Sequence, residues 1–391
     1  MVTLWAGLIT LSELLSNEDL RRHEFPVARD RIFLAHAGVC PLPRRVAEAV
    51  REYAALCTQG DQETLLPTPQ MQHSRQLAAR LLNAHPEEIA FVGPTSLALS
   101  LVAAGLPWKR HDRVLIYFDD YPANVYPWMA LAERGVEVRF LDARETGRIG
   151  PMDVIGQVDE QTRLVALASC HFLSGYRIDW NAIGRELHQR NILFCVDAIQ
   201  TLGAFPMSVE HIDFLAADAH KWLLGPCAAG ILFVRKSLQD FLRPAVFGWH
   251  NVRCPNFVAQ EEMVLRSDAR RYEAGTQNLL GLVGLEAALE LLLEIGIDNI
   301  AAALLRKRAL LVCALKNKGY TALHADVAPL NASAIVTCHR DGADMAALYG
   351  KLEAANVIVS LRTDRAGRKY VRFSPHFYNT DAELERVVQL L

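Results

Sequence analysis

The sequence predicts an α/β fold, with a mainly parallel sheet covered by helices on both faces and a smaller α+β domain at the carboxyl-terminal end. Short apolar runs alternate with helix-patterned segments from about residue 89 onwards. Small or polar residues follow several of these runs. After two long helix-patterned segments, at 282–296 and 300–319, the order of strands and helices changes. These observations together predict two domains.

The first predicted strands each lead into a helix. EIAFVG precedes TSLALSLVAAGL, and RVLIYFDD precedes NVYPWMALAERG. The runs that follow are EVRFLD, LVALASC, ILFCVDA, FLAADA and GILFVRK. Buried strands joined by helices form parallel sheets, and such sheets bind ligands beyond the carboxyl ends of their strands. Polar residues at those ends are therefore the candidates for function.

The large domain is placed at residues 31–285, and the small domain combines residues 1–30 with 286–391. In the latter, SAIVTC, NVIVSLR and KYVRFSPH are predicted strands of an α+β unit. The apolar N-terminal stretch MVTLWAGLITLSELL could be a signal peptide. Because it lacks a basic region and an evident cleavage site, we expect an amphipathic segment that packs on the body of the protein.

Composition argues against several classes of protein. A net charge of −3 over 391 residues does not favour nucleic acid as the main partner, because a polyanion is bound by a basic surface. No apolar run is long and uncharged enough to cross a membrane. The 8 cysteines are scattered, without a C-x-x-C pair, which predicts reduced thiols in a cytoplasmic protein. No metal site is expected.

Two residues at predicted strand ends carry the strongest chemical signal. Lys221 lies between FLAADAH and WLLGP. On position alone, a surface lysine with a buried stem is the commoner case, but desolvation would lower its pKa and suit Schiff-base chemistry. Asp197 ends the ILFCV run and is either a helix cap or a ligand group. A lysine with an acid is what pyridoxal phosphate requires, because the acid keeps the pyridine nitrogen protonated.

Weaker signals surround this pair. Gln200 could donate to the phenolic oxygen of the cofactor, and His220 is by itself a structural histidine more often than a functional one. Thr95 and Ser96 begin a helix after a strand, which suits phosphate binding but equally an ordinary helix cap. Tyr121 could stack on a flat ring or be a half-buried core residue.

Taken together and in order, these stretches resemble the class V, or fold-type I, pyridoxal-phosphate enzymes. That group includes class V aminotransferases, cysteine desulfurases, selenocysteine lyases, kynureninase and isopenicillin N epimerase. The matching stretches span nearly the whole chain: FLAHAGVCPLP, FVGPTSLALSLVA, DDYPANVYPW, SGYRID, VDAIQ, DAHKWLLGP, RYEAGTQN and VRFSPHFYNT.

The resemblance implies a role for each residue around the cofactor, pyridoxal 5'-phosphate. Lys221 forms the Schiff base, and Asp197 pairs with the pyridine nitrogen. Gln200 meets the phenolic oxygen, and Tyr121 stacks on the ring. The remaining residues of this set hold the phosphate: Thr95, Ser96 and His220.

The resemblance also implies a shared site. Gly275 and Thr276 match a loop that reaches the phosphate of the neighbouring subunit, which implies a homodimer. Arg372 matches the arginine that binds the substrate α-carboxylate, for which a planar guanidinium is suited. His36 lies in the N-terminal loop that usually lines the substrate pocket.

Some positions depart from the family pattern. The loop SLRTDRAGRKYVR contains no cysteine, so a desulfurase that forms a persulfide on the protein is not expected. Asp218 stands where desulfurases have a phosphate-binding serine, and its role stays open. Cys40 and Cys170 lie near matched motifs and are expected to be structural.

The leading expectation is a class V aminotransferase-like enzyme that acts on an amino acid, with Lys221 as the general base. The alternatives are a Cβ–S lyase, acting on a cysteine conjugate or resembling selenocysteine lyase, and an amino-acid epimerase. A non-catalytic protein of the same fold is disfavoured, because the lysine, the aspartate and the arginine are all present.

Overall fold

The computed structural model describes residues 9–66 and 68–391. Residues 1–8, the first part of the predicted amphipathic segment, lie outside the described residues. The α-helices within the described ranges are, in chain order, α1 (Leu11–Ser16), α2 (Glu18–Glu24), α3 (Arg44–Leu56), α4 (Gln62–Leu65), α5 (Thr68–Leu82), α6 (Thr95–Gly105), α7 (Tyr126–Met129), α8 (Pro151–Ile155), α9 (Trp180–His188), α10 (Leu279–Ile295), α11 (Ile297–Asn317), α12 (Met345–Ala354) and α13 (Asp381–Leu390).

The strands are, in chain order, β1 (Ile32–Phe33), β2 (Ile89–Val92), β3 (Arg113–Ile116), β4 (Glu137–Phe140), β5 (Thr162–Ala168), β6 (Leu193–Asp197), β7 (Phe214–Ala217), β8 (Gly230–Val234), β9 (Thr321–Ala322), β10 (Val336–His339), β11 (Val357–Ile358), β12 (Ser360–Thr363) and β13 (Lys369–Phe373). Each strand run predicted between residues 88 and 236 overlaps one of β2 to β8.

The predicted central sheet is present and mainly parallel. Its order is β2-β8-β7-β6-β5-β3-β4. Strand β8 runs antiparallel to both of its neighbours, and the other adjacent pairs are parallel. The carboxyl ends of β5, β6 and β7 therefore meet at one edge of the sheet, which is where the predicted catalytic residues follow their strands.

Helices cover both faces of this sheet. Along β6, Phe194 and Val196 enter the core that contains residues of α5, α9 and α10. Cys195, between them, enters the opposite core with residues of α6. Successive side chains of a strand point to opposite faces. Because both faces are buried, the strand sequences are continuously apolar rather than alternating.

The smaller domain has an antiparallel sheet of order β12-β13-β10-β9 within the described residues. Its separate core includes Leu352 of α12, Val371 of β13 and Val387 of α13. The pair β1–β11 is parallel and joins the segment after α2 to this domain. The expected α/β fold with an α+β carboxyl-terminal domain is confirmed.

The predicted domain boundary at residue 285 falls inside α10. Leu292 of α10 and Leu304 of α11 both belong to the large core, whereas Leu311 of α11 belongs to the core of the small domain. The change of core occurs within α11, because this helix of 21 residues is long enough to contact both domains.

Residues 9–30 also contact both domains. The Phe25 ring stacks on Tyr378 of the small domain, with 4.0 Å between ring centroids. Glu24 accepts a hydrogen bond from Arg45 of α3 at 3.0 Å, and Leu14 of α1 is buried in the large core. The described part of the N-terminal segment thus packs on the body of the protein. Among the described residues, no helix combines the length and apolarity that crossing a membrane requires.

Candidate active site

A cavity of about 330 Å³ opens beyond the carboxyl ends of the parallel strands. It brings together most of the residues predicted from the sequence: Thr95, Ser96, Tyr121, Asp197, Gln200, His220, Lys221 and Arg372. A larger groove of about 840 Å³ lies at the opposite, amino-terminal ends of β3, β5 and β6 and contains none of them. The chemistry-bearing residues therefore mark the smaller cavity as the site.

Lys221 lies on the loop after β7 and is only 6% exposed. Its Nζ atom is 5.2 Å from the centroid of the Tyr121 ring. Burial lowers the pKa of Lys221, the nearby cation Arg372 lowers it further, and Asp197 opposes this shift. The whole residue, and not only its stem, is buried, so Lys221 is not a surface lysine.

Asp197 is the last residue of β6 and is 3% exposed. Its Oδ1 atom accepts a hydrogen bond from the backbone N–H of Ile199 at 3.0 Å. Among the described residues, no protein donor is within hydrogen-bond distance of Oδ2. Burial raises the pKa of Asp197, and the neighbouring carboxylate of Asp120 raises it further. A buried carboxylate is stabilised by a cationic donor, so the free oxygen fits a protonated pyridine nitrogen.

Tyr121 is half exposed, at 48%, and presents its ring to the cavity. Asp120 holds its backbone: one carboxylate oxygen accepts from the Tyr121 N–H at 2.7 Å, and the other accepts from Asn124 at 3.0 Å and the Ala168 N–H at 3.1 Å. Phe172 meets the tyrosine ring edge-on, with centroids 5.5 Å apart. These contacts fix the ring beside Lys221, where it can stack on a planar group.

Gln200 has a defined amide orientation. Its Oε1 atom accepts from the indole N–H of Trp222 at 2.9 Å, and its Nε2 atom donates to the Ala37 carbonyl at 3.1 Å. An amide nitrogen carries two hydrogens, so one donor remains for a ligand in the cavity.

The start of α6 forms one end of the cavity. Pro94, the residue before the helix, provides no side-chain cap. The first backbone N–H groups of a helix need external acceptors, and the helix dipole favours an anion there. The hydroxyl of Thr95 accepts from the backbone N–H of Asp218 at 3.0 Å, which leaves its own hydrogen available. This end of the cavity, with Ser96 beside it, fits a phosphate group.

His220 lines the same cavity and is paired with Asp218. The distance from its Nδ1 atom to Asp218 Oδ2 is 2.7 Å. Asp218 itself is turned away from the cavity and does not line it. The carboxylate at this position therefore does not point at the predicted phosphate site.

Arg372 lies on β13, is 1% exposed and donates from Nη1 to the Phe172 carbonyl at 2.6 Å. Its Nε atom has no hydrogen-bond acceptor among the described residues. Burial and the neighbouring Arg362 lower the pKa of Arg372 to about 9. A buried guanidinium without a carboxylate partner is costly, so its position suits a substrate carboxylate.

Arg362 was not predicted from the sequence, yet it lines the same cavity. In the β12–β13 pair, Ser360 is opposite Arg372 and Arg362 is opposite Tyr370. Directly opposed residues share a face of the sheet, so the two arginines lie on the same face. Arg362 and Arg372 flank one turn at positions whose side chains point to the same face of the two strands. This alternation was the feature of the sequence from which Arg362 could have been predicted.

His36 does not line the cavity, contrary to expectation. It is fully buried, and its ring nitrogens lie 2.9 Å from the Ser374 carbonyl and 2.9 Å from the Tyr378 hydroxyl. Its ring packs against the rings of His376 and Trp222. The next residues of the loop, Ala37, Gly38 and Val39, line the cavity instead. His36 stays in the core because both of its ring nitrogens have hydrogen-bond partners there.

Gly275 and Thr276 also lie outside the cavity. The Thr276 hydroxyl donates to Glu63 at 2.8 Å, and the space beside the Gly275 Cα is open. Within one subunit these residues do not contact the phosphate end of the site.

The cysteines near the matched motifs do not line the cavity. Cys40 and Cys170 are buried, and burial raises the pKa of their thiols, to about 12 and about 11 respectively. Both are therefore held as neutral thiols at physiological pH.

Comparison with known proteins finds a family model. The class-V aminotransferase model matches residues 32–387. A probable cysteine desulfurase of Methanothermobacter thermautotrophicus is 35% identical over 293 residues, which cover 73% of this chain and 72% of the relative. An uncharacterized aminotransferase of Bacillus subtilis, YcbU, is 28% identical over 94% of this chain and 95% of its own length.

Solved structures share the fold. The apo cysteine desulfurase of Thermococcus onnurineus superposes with a TM-score of 0.85 at 23% identity, covering 95% of this chain and 96% of that one. A complex of the cystine C–S lyase C-DES with cysteine persulfide has a TM-score of 0.85 at 22% identity, covering 94% and 98%.

Proposed function

The chain belongs to the class-V aminotransferase family, and we propose that it cleaves the Cβ–S bond of a cysteine-derived amino acid. Family membership makes it a pyridoxal-phosphate-dependent enzyme that acts on an amino acid. One observation carries the finer choice of reaction: the cavity is lined by a buried lysine and two arginines, but by no cysteine of the described residues.

The residues around the cavity fit this cofactor. Lys221 is the amine that bonds its aldehyde, and Asp197 offers the free buried oxygen for its pyridine nitrogen. The phosphate fits at the start of α6, beside Thr95 and Ser96. When bound, pyridoxal phosphate supplies an electron sink for the electron pair left at the substrate α-carbon.

Lys221 moves the α-proton. Because burial lowers the pKa of Lys221, its amine more readily occurs in the unprotonated, basic form at neutral pH. Nζ accepts the proton from the α-carbon. The face of the Tyr121 ring, 5.2 Å from Nζ, then stabilises the ammonium by a cation–π contact.

Two arginines orient the substrate. Arg372 binds the α-carboxylate by two parallel hydrogen bonds. Arg362 faces the same cavity and has no carboxylate partner among the described residues. A substrate with a second acidic group on its sulfur substituent satisfies both guanidinium groups.

The sulfur departs without a protein thiol. The electrons of the Cα–H bond form the second bond between Cα and Cβ, and the Cβ–S electron pair leaves with sulfur as a thiolate. The released aminoacrylate takes up one water and the proton held by Lys221, and yields pyruvate and ammonium. No oxidant or reductant is needed.

The loop between β12 and β13 supports release of the sulfur rather than its transfer to a cysteine. Arg365 of this loop pairs with Asp119, donates to the Phe118 carbonyl at 3.1 Å and lies 4.1 Å above the Phe118 ring. The loop is thus anchored to the large domain by an arginine, at the place where a persulfide-forming enzyme needs a thiolate.

A second candidate function is transamination. The aminotransferase relative from Bacillus subtilis aligns over 94% of the chain, whereas the archaeal desulfurase relative aligns over 73%. Transamination begins with the same proton transfer by Lys221 and differs in where that proton is returned.

The proposal includes a homodimer in the cytoplasm. The exposed apolar side chains Phe247, Phe257, Val258 and Met263 belong to a segment whose His250 N–H donates to Ala274, beside Gly275 and Thr276. The family resemblance implies that this loop reaches the phosphate site of a second copy, which would cover this apolar face. The cytoplasm is supported by the 8 cysteines, all of which are free thiols.

Product analysis tests the reaction. Purified enzyme loaded with pyridoxal phosphate is incubated with L-cystine, S-carboxymethyl-L-cysteine or L-alanine, with and without a 2-keto acid. We expect pyruvate, ammonium and a sulfur product from the sulfur amino acids without any keto acid. Keto acid formed from L-alanine only when an acceptor is present would instead establish transamination. Inversion at the α-carbon without pyruvate would establish epimerisation.

A further inference from the structure

Asp218 is the buried centre of a hydrogen-bond cluster behind the cavity. Its side chain is 1% exposed. Oδ1 accepts from the backbone N–H groups of Ala219 at 2.8 Å and Ala229 at 3.0 Å. Oδ2 accepts from the N–H of Ala228 at 3.0 Å and from Nδ1 of His220 at 2.7 Å.

This cluster joins the loop of Asp218 and His220 to two other segments at one end of the cavity. The backbone N–H of Asp218 donates to the Thr95 hydroxyl at the start of α6. Its carboxylate holds the loop at Ala228, whose φ of 58° is in the left-handed region that non-glycine residues rarely adopt. His220, on the same loop as Asp218, lines the cavity together with Thr95.

The contact with Asp218 determines how the His220 ring is presented. A carboxylate can only accept, so Nδ1 carries the hydrogen of this bond. Among the described residues, Nε2 of His220 has no protein partner. The ring is thus fixed at one nitrogen and free at the other, at the same end of the cavity as Thr95.

We propose that Asp218 is a positioning residue that holds His220 so that its Nε2–H donates to the phosphate of the cofactor. This inference rests on the cofactor of the proposed function. The His220 ring then lies between two anionic groups, the Asp218 carboxylate and the phosphate, and keeps them apart. An acidic residue at position 218 is compatible with a nearby phosphate because its carboxylate contacts His220 and does not line the cavity.

Asp218 has a structural task that a serine could not perform, because its carboxylate accepts from three backbone N–H groups. A serine at this position could bind phosphate directly, but it could not accept from three backbone N–H groups. Asp218 instead supports the loop through Oδ1 and Oδ2 and reaches the phosphate only through His220.

A double-mutant cycle tests the proposal. Dissociation constants are measured for pyridoxal phosphate and for pyridoxal, which lacks the phosphate, with wild type, D218N, H220Q and the double variant. We expect D218N and H220Q each to weaken pyridoxal phosphate about tenfold, as for loss of a charge-assisted hydrogen bond. Pyridoxal affinity stays at the wild-type value, and the double variant binds like H220Q alone.

The comparison of two ligands separates positioning from folding. D341N is the matched control, because Asp341 also contacts a histidine, His339 at 3.4 Å, but its side chain is 91% exposed. If D218N weakens both ligands equally, or if its effect adds fully to that of H220Q, Asp218 supports only the loop and the proposal is wrong.

The H220Q variant keeps the proposal testable if D218N does not fold, because it leaves the backbone contacts of Asp218 in place. Wild-type affinity of H220Q for pyridoxal phosphate would overturn the proposal. These titrations contain no amino acid, so the absence of Cβ–S cleavage would not affect them.

Discussion

Arg362 and Arg372 converge on one point of the cavity. The Nη2 atom of each lies 3.8 Å from the position that a Cβ atom on Gly38 would occupy. Two guanidinium groups repel at short range, and Arg362 indeed lowers the pKa of Arg372. The absence of a side chain at Gly38 leaves room for acidic groups of a ligand between them.

The first prediction concerns this pair. Arg362→Gln should lower kcat/KM for L-cystine, which carries a second carboxylate, and leave S-methyl-L-cysteine almost unaffected. Arg372→Gln should impair both substrates, by about 2–5 kcal/mol, because both carry the α-carboxylate. Steady-state kinetics with the two substrates measures the difference. Equal losses for both substrates in Arg362→Gln would show that Arg362 does not recognise a second acidic group.

The second prediction identifies the cofactor lysine. Borohydride should fix pyridoxal phosphate covalently to a peptide that contains Lys221, and Lys221→Ala should abolish this labelling. Lys307→Met is the matched control, because Lys307 is also fully buried and burial lowers its pKa to about 8, yet it does not line the cavity. Mass spectrometry of the digested protein locates the label. Labelling retained in Lys221→Ala would refute the assignment.

The third prediction concerns thiols. Cys40→Ser and Cys170→Ser should each retain the turnover of wild type to within a few-fold. Neither cysteine lines the cavity, and burial raises the pKa of both thiols, so that they stay neutral. Turnover with L-cystine is compared at equal holoenzyme concentration. Complete loss of turnover in a variant that still binds the cofactor would indicate a catalytic cysteine.

The fourth prediction concerns stability behind the Gly275–Thr276 loop. Arg75 donates two hydrogen bonds to Glu273, at 2.6 and 2.7 Å, and both side chains are buried. Arg75→Met removes the guanidinium partner of the buried Glu273 carboxylate, which keeps the Phe91 N–H at 2.7 Å, and should reduce the free energy of unfolding by about 3–5 kcal/mol.

Denaturant unfolding measures this loss. Arg22→Met is the control, because Arg22 forms an exposed pair with Glu18, and such pairs contribute about 1 kcal/mol or less. Removing both partners in Arg75→Met/Glu273→Leu should restore part of the stability. Equal effects of Arg75→Met and Arg22→Met would contradict the expected cost of the unpaired charge.

The fifth prediction concerns pH. Burial lowers the pKa of His36 from 6.5 to about 4. The unfolded chain therefore binds more protons than the folded one between these values, and stability rises with pH across this window. The contribution is complete above pH 6.5 and is lost as the pH falls towards 4.

Unfolding free energies measured from pH 4 to 7 check this dependence. His36→Asn should have a shallower slope than wild type, although it is less stable overall. An unchanged slope in His36→Asn would show that His36 does not titrate on unfolding.

Much of the architecture was predictable because it is encoded locally. The apolar runs that became β2 to β8 are short and bounded by small or polar residues, so their strand character needs no distant contact. Lys221, Asp197 and Thr95 reach the cavity because each directly follows or ends a strand, and parallel strands expose their carboxyl ends together.

Other features depended on contacts between distant segments. The domain boundary was placed in α10, since periodicity does not reveal which core a helix joins. His36 follows a short strand, like residues that line the cavity, but Ser374 and Tyr378, far away in the chain, hold it in the core.

The sequence by itself determined the strand order along the chain and the residues at the strand ends. The tertiary structure alone decided that Arg362 joins Arg372, that Asp218 turns away from the cavity and that His36 is buried. The reason is physical: hydrophobic periodicity specifies local conformation, whereas the direction of a side chain depends on strand register and on packing against residues far apart in sequence.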